Sequence, residues 1–246
     1  MATVGVVILS YDGMKYLPQC LESVAWADRV LLLHAGRDPE VGKEYPRLTV
    51  RRVPSWSEFD RYGGDIGTDW ALCLWGDERI DDVLAGELQA LKGAGALNSA
   101  RAYAIPLRSY ILNQWADGAL GGPSPSIRLA RGEAVLPAWW MKPTGAERVF
   151  LGCIEDRGTA ELAAAVERVQ ALSDFWAARL ITLAEPPSAT KSVIAAFIVK
   201  VKMLLRARFG ARGLGGVALA ALASYSVLLS GAKLWEARHV KARPAD

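Results

Sequence analysis

The residues best suited to chemistry in this sequence lie where apolar runs give way to polar side chains. They are Ser10, Tyr11, Asp12, His34, Asp77 and Glu78. Hydroxyl, imidazole and carboxylate groups hold nucleotides through hydrogen bonds, and carboxylates also ligate divalent cations. The stretch CLWGDERID, residues 73–81, presents the sharpest choice. It is either an acidic motif that binds a metal or a phosphate, or only the polar end of a strand whose carboxylates cap the next helix.

The elements that position these residues are predicted from hydrophobic patterning. Residues 3–9, 29–33 and 70–74 are short apolar runs typical of strands, residues 48–53 alternate as a further strand, and residues 14–26 carry apolar side chains at helical spacing. A strand, helix, strand, strand order predicts a Rossmann-like half-sheet. Ligands of such sheets bind beyond the carboxyl ends of the strands, so we expect the polar loops to converge on one crevice.

The rest of the chain divides into further elements and a tail. Four elements are predicted: helices at residues 83–91 and 159–183, and strands at residues 102–107 and 126–129. The pair Pro186-Pro187 stops the last helix and marks the predicted domain boundary. We therefore predict one domain over residues 1–187 and a helical tail over residues 188–246.

Charge is distributed unequally along the chain. The net charge is +3, yet residues 191–246 carry ten Lys or Arg against two acidic residues, so the remainder is mildly acidic. Basic residues alternate with apolar runs in the tail, which favours an anionic membrane surface, contacted by residues 191–235, over nucleic acid. Residues 213–232 lack charge but are only weakly hydrophobic, which leaves membrane insertion, interfacial binding and packing against another helix open.

Cysteine usage and the N-terminus bear on the cellular compartment. Cys20, Cys73 and Cys153 are widely spaced and include no C-x-x-C pair, so we expect neither a disulfide framework nor a zinc site. The opening MATVGVVIL lacks the basic segment and cleavage site of a signal peptide. We expect a cytoplasmic protein associated with the inner face of the cell membrane.

Three motifs resemble those of family 2 glycosyltransferases of the GT-A fold, in particular the small bacterial enzymes that add sugars to lipopolysaccharide core. They are LPQCLESVAWAD at residues 17–28, TDWALCLWGDERI at residues 68–80 and GAKLWE at residues 231–236. The family's counterparts are LPxCLESV-x-WADE, GDWVLSLDADERI and YAKLWE. The similarity extends over nearly the whole chain.

The resemblance implies a GT-A α/β domain over residues 1–187 with a basic, hydrophobic helical appendage over residues 188–246. It implies transfer of a sugar from a nucleotide sugar to a glycolipid or envelope polysaccharide. The residues implied in nucleotide-sugar binding are Ser10, Tyr11, Asp12, His34, Asp77 and Glu78. It also implies a divalent metal, Mg²⁺ or Mn²⁺, at Asp77, with Glu155 or Asp156 replacing the family's catalytic base. Self-association into a homo-oligomer is left open.

Three positions depart from the family's pattern. His34 stands where the family has an Asp, Trp75 replaces the first Asp of the acidic motif, and Met141 falls at the family's V-H-E by ungapped counting. Glu155 and Asp156 also fit a solvated turn. Two hypotheses follow: an active glycosyltransferase, or a catalytically inactive GT-A scaffold that binds or regulates a partner in envelope glycan synthesis.

Overall fold

The fold is given by a computed structural model. The structure describes residues 2–37, 39, 41, 45–53, 66–95, 100–111, 114–115, 124–132, 150–159, 161–182, 188–206 and 213–239. The described parts of residues 2–158 fall mainly in one compact unit, which contains the sheet, and those of residues 161–239 in a second, helical unit. The predicted boundary at Pro186-Pro187 lies outside the described residues and stays a prediction.

Four strands form the parallel half of the sheet. They are β1 (Val4–Tyr11), β2 (Arg29–Ala35), β3 (Leu48–Arg52) and β4 (Trp70–Trp75). β1 lies between β2 and β4 and is parallel to both, with Val7 opposite Leu31 on one side and Cys73 on the other. These central strands are almost entirely buried, which is why their sequences are continuous apolar runs and not alternating patterns. Helix α1 (Leu17–Ser23) connects β1 to β2.

The other half of the sheet is mixed. Its strands are β5 (Glu78–Ile80), β6 (Ala102–Ile111), β7 (Gln114–Trp115), β8 (Ser124–Arg131) and β9 (Ile154–Thr159). The spatial order is β3-β2-β1-β4-β8-β6-β9-β5, with β8 antiparallel to β4 and β6, and β5 antiparallel to β9. The predicted α/β class is confirmed, and so is the Rossmann-like order of the first four strands. The sequence predicts neither β5 nor β9.

Helix α2 (Asp82–Gly93) follows β5 and closes the core of the first unit. Its N-cap is Asp81, whose Oδ1 accepts a hydrogen bond of 2.7 Å from the N–H of Leu84. The other oxygen of Asp81 accepts from the N–H of Cys153 at 2.9 Å, which ties the start of the helix to the chain just before β9. Gly152 is required here, because a Cβ would overlap the backbone nitrogen of Leu84.

The helical unit contains α3 (Leu162–Thr182), α4 (Ala189–Arg206) and α5 (Gly213–His239). Lys233 of α5 contacts α3, with its Nζ 2.6 Å from a carboxylate oxygen of Asp174 and 2.8 Å from the hydroxyl of Ser173. Within the described part of the chain, no helix is both long and apolar enough to span a membrane. Part of residues 213–232 packs within this unit, since the hydroxyl of Ser224 donates to the carbonyl oxygen of Ala196 of α4 at 3.0 Å. Contact of this stretch with a membrane stays a prediction.

Candidate functional site

Three of the predicted site residues form a hydrogen-bonded chain at the carboxyl ends of β1 and β2. Ser10 lies opposite His34 in the parallel register, and its Oγ is 2.8 Å from Nδ1 of the imidazole. The other ring nitrogen, Nε2, is 3.1 Å from Oδ1 of Asp12. A carboxylate only accepts hydrogen bonds, so Nε2 donates to Asp12, and in the neutral ring Nδ1 accepts from the hydroxyl of Ser10. We call Ser10, Asp12 and His34 the strand-end cluster.

Asp12 is oriented by the backbone as well as by the imidazole. The N–H of Arg37 donates to both carboxylate oxygens of Asp12, at 3.0 and 3.2 Å. This backbone hydrogen bond holds the pKa of Asp12 below its ordinary value, and the hydrogen bond from His34 acts in the same direction. A Cβ at Gly36 would lie 2.5 Å from Oδ1 of Asp12, so only glycine leaves room for this arrangement.

The strand-end cluster borders a large cavity. The cavity has a volume of about 630 Å³ and is formed by the loop after β1, helix α1 and the segment after β2. Its lining includes Tyr11, Asp12, Lys15, His34 and Tyr45. The side chain of Asp12 is 56% exposed, whereas Ser10 is fully buried behind His34. Tyr11, Asp12 and His34 are therefore placed to touch a ligand in this cavity, and Ser10 is placed to orient His34.

Glu78, at the start of β5, is instead part of a buried ion pair. Its Oε1 accepts from Nη2 of Arg128 at 2.8 Å, and its Oε2 accepts from Nη1 of the same guanidinium at 2.9 Å. The N–H of Trp75 donates to Oε2 as well, at 2.9 Å. Both side chains of the pair are almost completely buried, at 1 and 3% exposed. The role in nucleotide binding predicted for Glu78 stays a prediction, but both of its oxygens are already engaged.

Glu155 and Asp156 lie on β9, directly across from β5. Asp156 is opposite Glu78 and Glu155 is opposite Arg79 in the antiparallel register. Oε2 of Glu155 accepts from Nε of Arg79 at 2.7 Å and is 3.6 Å from a guanidinium nitrogen of Arg157. Both carboxylates are buried in strand structure, so the solvated turn left open by the sequence is not what these residues form. Their predicted catalytic role stays a prediction.

Asp77 lies in the turn between β4 and β5 and is itself buried. With Glu78 it borders a second, much smaller cavity of about 20 Å³, whose lining also includes Tyr16, Arg79 and Arg157. Among the described residues, no side chain lines both this cavity and the large one. The convergence of the polar loops on one crevice stays a prediction.

The fit of a divalent cation at Asp77 depends on the donors around it. Within the described ranges, no group of three His, Cys, Asp or Glu side chains is placed to hold a metal ion. Trp75, and not a carboxylate, stands two residues before Asp77, and Glu78 is paired with Arg128. Because Mg²⁺ commonly takes one or two carboxylates together with substrate phosphates, a metal at Asp77 would need the phosphate oxygens of a ligand as further donors.

Sequence reasoning missed two kinds of site residue. Arg128 lies within the predicted strand at residues 126–129. A charged residue in a buried strand indicates a buried partner, but the sequence does not identify that partner. Lys15 lines the large cavity from the start of the predicted helix, and Tyr45 lines it from a segment without distinctive patterning. Met141, one of the departures from the family's pattern, lies outside the described residues.

Comparison with known proteins adds little to this description. No family model matches the sequence, and no curated protein matches it either. Among solved structures, residues 1–349 of S. aureus TarS align over 99% of this chain and 93% of that one, at 10% identity and a TM-score of 0.42. A protein from Bacillus anthracis assigned as a glucose-1-phosphate thymidylyltransferase, in complex with a sucrose, aligns over 68% and 75%, at 10% identity and a TM-score of 0.30. Scores and identities this low support no inference about function.

Proposed function

We propose that this protein is a glycosyltransferase that binds a nucleotide sugar in the large cavity at the carboxyl ends of β1 and β2. One observation carries the proposal. A cavity of about 630 Å³ lies where ligands of Rossmann-like sheets bind, and it is bordered by a carboxylate that the fold holds ionised. The motif resemblance to family 2 glycosyltransferases supports the same assignment.

The groups lining the cavity match the parts of a nucleoside diphosphate. Tyr11 and Tyr45 offer aromatic rings on which a base can stack. Asp12 accepts hydrogen bonds from the N–H groups of a base or the hydroxyls of a ribose, and it is oriented before the ligand arrives. Lys15 supplies a positive charge for a phosphate. His34 fixes Asp12 on one side and is itself fixed by Ser10.

The chemistry of transfer is assigned to the neighbouring carboxylates. A divalent cation bound by Asp77 together with the diphosphate would neutralise the charge that develops on the leaving group. Glu155 or Asp156 would accept the proton of the acceptor hydroxyl, and Arg79 orients Glu155 by donating a hydrogen bond to it. The acceptor class, a glycolipid or envelope polysaccharide, and the location at the inner face of the membrane follow from the resemblance.

Nucleotide binding tests the proposal most directly. Calorimetric titration with UDP, GDP and their sugar conjugates, in the presence of Mn²⁺, is expected to reveal at least one ligand. Asp12→Asn should weaken its binding about tenfold or more, because it removes a charge-assisted hydrogen bond.

The matched control is Asp69→Asn. Asp69 also has its pKa lowered by a backbone N–H, that of Thr3, but it lies just before β4, at the opposite end of the sheet. This variant should bind like the wild type. If no nucleotide binds, or if the two variants lose affinity equally, the large cavity is not the donor site.

A second candidate function is a catalytically inactive scaffold. The observation favouring it is the bidentate ion pair between Glu78 and Arg128 beside Trp75, which occupies one of the two carboxylates that directly follow β4. Nucleotide release from the bound nucleotide sugar, measured with glycolipid acceptors, separates the two. A scaffold would bind the nucleotide sugar but would not convert it to a free nucleoside diphosphate.

A further inference from the structure

Helix α4 exposes its large apolar side chains. Val193, Ile194, Phe197, Ile198 and Val201 each expose between 37 and 65% of their surface. Their spacing places them on one face of the helix. An exposed face of five contiguous large apolar residues is unusual on a soluble surface and marks a site of interaction. We call these five residues the apolar face of α4.

The opposite side of α4 is made of small residues that pack against α5. Ala196 is buried, and its carbonyl oxygen accepts a hydrogen bond of 3.0 Å from the hydroxyl of Ser224. A Cβ added at Gly231 of α5 would overlap the hydroxyl of Ser192. The close approach of the two helices therefore needs small side chains between them. The helix is thus oriented with its large apolar residues away from its own partner helix.

The stretch of sequence that contains α4 carries charge of a single sign. Residues 189–212 contain six basic residues and no acidic one. The basic residues are Lys191, Lys200, Lys202, Arg206, Arg208 and Arg212. An apolar helix face combined with a purely cationic segment is the composition of helices that lie in the interface of an anionic bilayer. A polyanion such as nucleic acid would match the charge but would leave the apolar face uncovered.

A second copy of the chain is a poorer match for this surface. A symmetric dimer places the same patch on both partners, so the basic residues of one segment would face those of the other. No acidic residue within 189–212 could offset this repulsion.

We propose that the apolar face of α4 docks on the surface of a bilayer containing anionic lipids, with the helix lying parallel to the membrane plane. The apolar side chains enter the boundary between headgroups and acyl chains, and the basic residues meet the anionic headgroups. The inference names which part of the predicted tail contacts the membrane, and it does not depend on nucleotide binding.

Vesicle flotation of the full-length protein tests this proposal. Wild type is expected to float with vesicles of phosphatidylcholine and phosphatidylglycerol, and to float much less with phosphatidylcholine alone. Raising the salt concentration should reduce flotation with the anionic vesicles, because salt screens the headgroup charge. The double variant I194S/F197S should bind the anionic vesicles about tenfold more weakly or worse, since two large apolar side chains no longer enter the bilayer.

The control is the double variant V83S/L151S, which makes the same kind of change at two exposed apolar positions of the sheet-containing unit. It should float like the wild type, and circular dichroism should show that both variants are folded. Equal flotation with neutral and anionic vesicles, or unchanged flotation of I194S/F197S, would overturn the proposal. So would sedimentation velocity showing a wild-type dimer that I194S/F197S dissociates, because a second copy would then cover the face. Should I194S/F197S not fold, the lipid and salt dependence of the wild type decides alone.

Discussion

The strand-end cluster and the Glu78–Arg128 pair lie near the same edge of the sheet, yet they treat a carboxylate in opposite ways. Asp12 is oriented by a backbone N–H and by an imidazole, and more than half of its side chain remains exposed beside a large cavity. Glu78 is held by both arms of a guanidinium and is almost fully buried. The carboxylate of Asp12 can still contact a ligand, whereas that of Glu78 is fully engaged by Arg128.

The difference shows how to separate a binding group from a structural one. A carboxylate held by N–H dipoles stays ionised and keeps unused acceptor positions, so it can still recognise a ligand. In a buried bidentate ion pair, the attraction between the two partners offsets the cost of removing both charges from water. A ligand that bound one member would leave the other buried without a partner. We therefore assign ligand recognition to the strand-end cluster and a structural role to the Glu78–Arg128 pair.

Arg128→Ala is expected to produce the largest effect. It leaves Glu78 buried without its guanidinium, and removing one member of a buried ion pair destabilises a protein by about 3–5 kcal/mol. The loss in the free energy of unfolding can be measured by urea denaturation followed by circular dichroism.

Arg79→Ala is the matched control, since it also removes an arginine from a carboxylate, that of Glu155. The side chain of Arg79 is 42% exposed, so the expected loss is about 1 kcal/mol or less. Equal losses for the two variants would mean that burial does not distinguish the Glu78–Arg128 pair from its surroundings.

Gly36→Ala is expected to damage the strand-end cluster without a comparable loss of stability. Its Cβ would collide with the carboxylate of Asp12 and displace it from the N–H of Arg37. We expect nucleotide affinity to fall about tenfold, the value of roughly one such hydrogen bond, while the urea midpoint changes far less than in Arg128→Ala.

Gly95→Ala provides the control for backbone strain. Gly95 has a φ of 67° in open space beyond α2, so an alanine there is strained but collides with nothing. This variant should lose some stability and keep its nucleotide affinity. An affinity loss in Gly95→Ala as large as that in Gly36→Ala would indicate a general destabilisation and not a displaced Asp12.

The sequence predicts the elements that carry the strand-end cluster because their signals are local. β1 and β2 are continuous apolar runs that end in polar residues, and parallel strands bring their carboxyl ends to one edge. The closeness of Ser10, Asp12 and His34 follows from that geometry. The hydrogen bond between Nε2 of His34 and Asp12 does not, because it depends on the loop geometry that Gly36 permits.

The Glu78–Arg128 pair could not be predicted in the same way. β5 has only three residues and β9 reads IEDRGT, so neither has the alternation or the apolar run that identifies a strand. These strands are defined by pairing with each other across a long stretch of sequence, and Arg128 reaches Glu78 from a third strand. No local pattern in one sequence encodes partners that lie so far apart along the chain.

Metal binding tests whether the acidic motif around Asp77 and Glu78 can hold a metal ion without the help of a ligand. If a metal at Asp77 needs phosphate oxygens as further donors, Mn²⁺ should bind the nucleotide-free protein very weakly and should bind better once a nucleoside diphosphate supplies those oxygens. By linkage, Mn²⁺ should raise nucleotide affinity by the same factor, which we expect to be about tenfold or less.

Calorimetry with EDTA or Mn²⁺ measures that factor directly. Asp77→Asn should remove it, and Asp82→Asn, at the exposed first residue of α2, should leave it unchanged. Tight binding of Mn²⁺ to the nucleotide-free protein would show that the acidic motif is an open metal site, contrary to the structural role assigned to its neighbour Glu78.

The smallest expected effect is the pH dependence that Asp12 contributes. Its pKa in the folded protein is held below the ordinary 3.8, chiefly by the N–H of Arg37. As the pH falls, the unfolded chain therefore binds the proton first, so the stabilising contribution is complete above 3.8 and is lost as the pH falls through the folded-state pKa. Thermal unfolding across this acidic range should show a steeper decline for the wild type than for Asp12→Asn.

The size of this difference must stay small, because Asp12 is exposed and solvent screens its interactions. The stability of Asp69→Asn should also decline less steeply with falling pH than that of the wild type, because the pKa of Asp69 is lowered by Thr3 in a similar way. Nucleotide separates the two positions: added ligand should steepen the acid dependence of Asp69→Asn and leave that of Asp12→Asn unchanged. If the stability of Asp12→Asn declines with falling pH just as that of the wild type does, the strand-end cluster does not lower the pKa of Asp12. The contrast between Asp12 and the ion-paired Glu78 would then no longer stand.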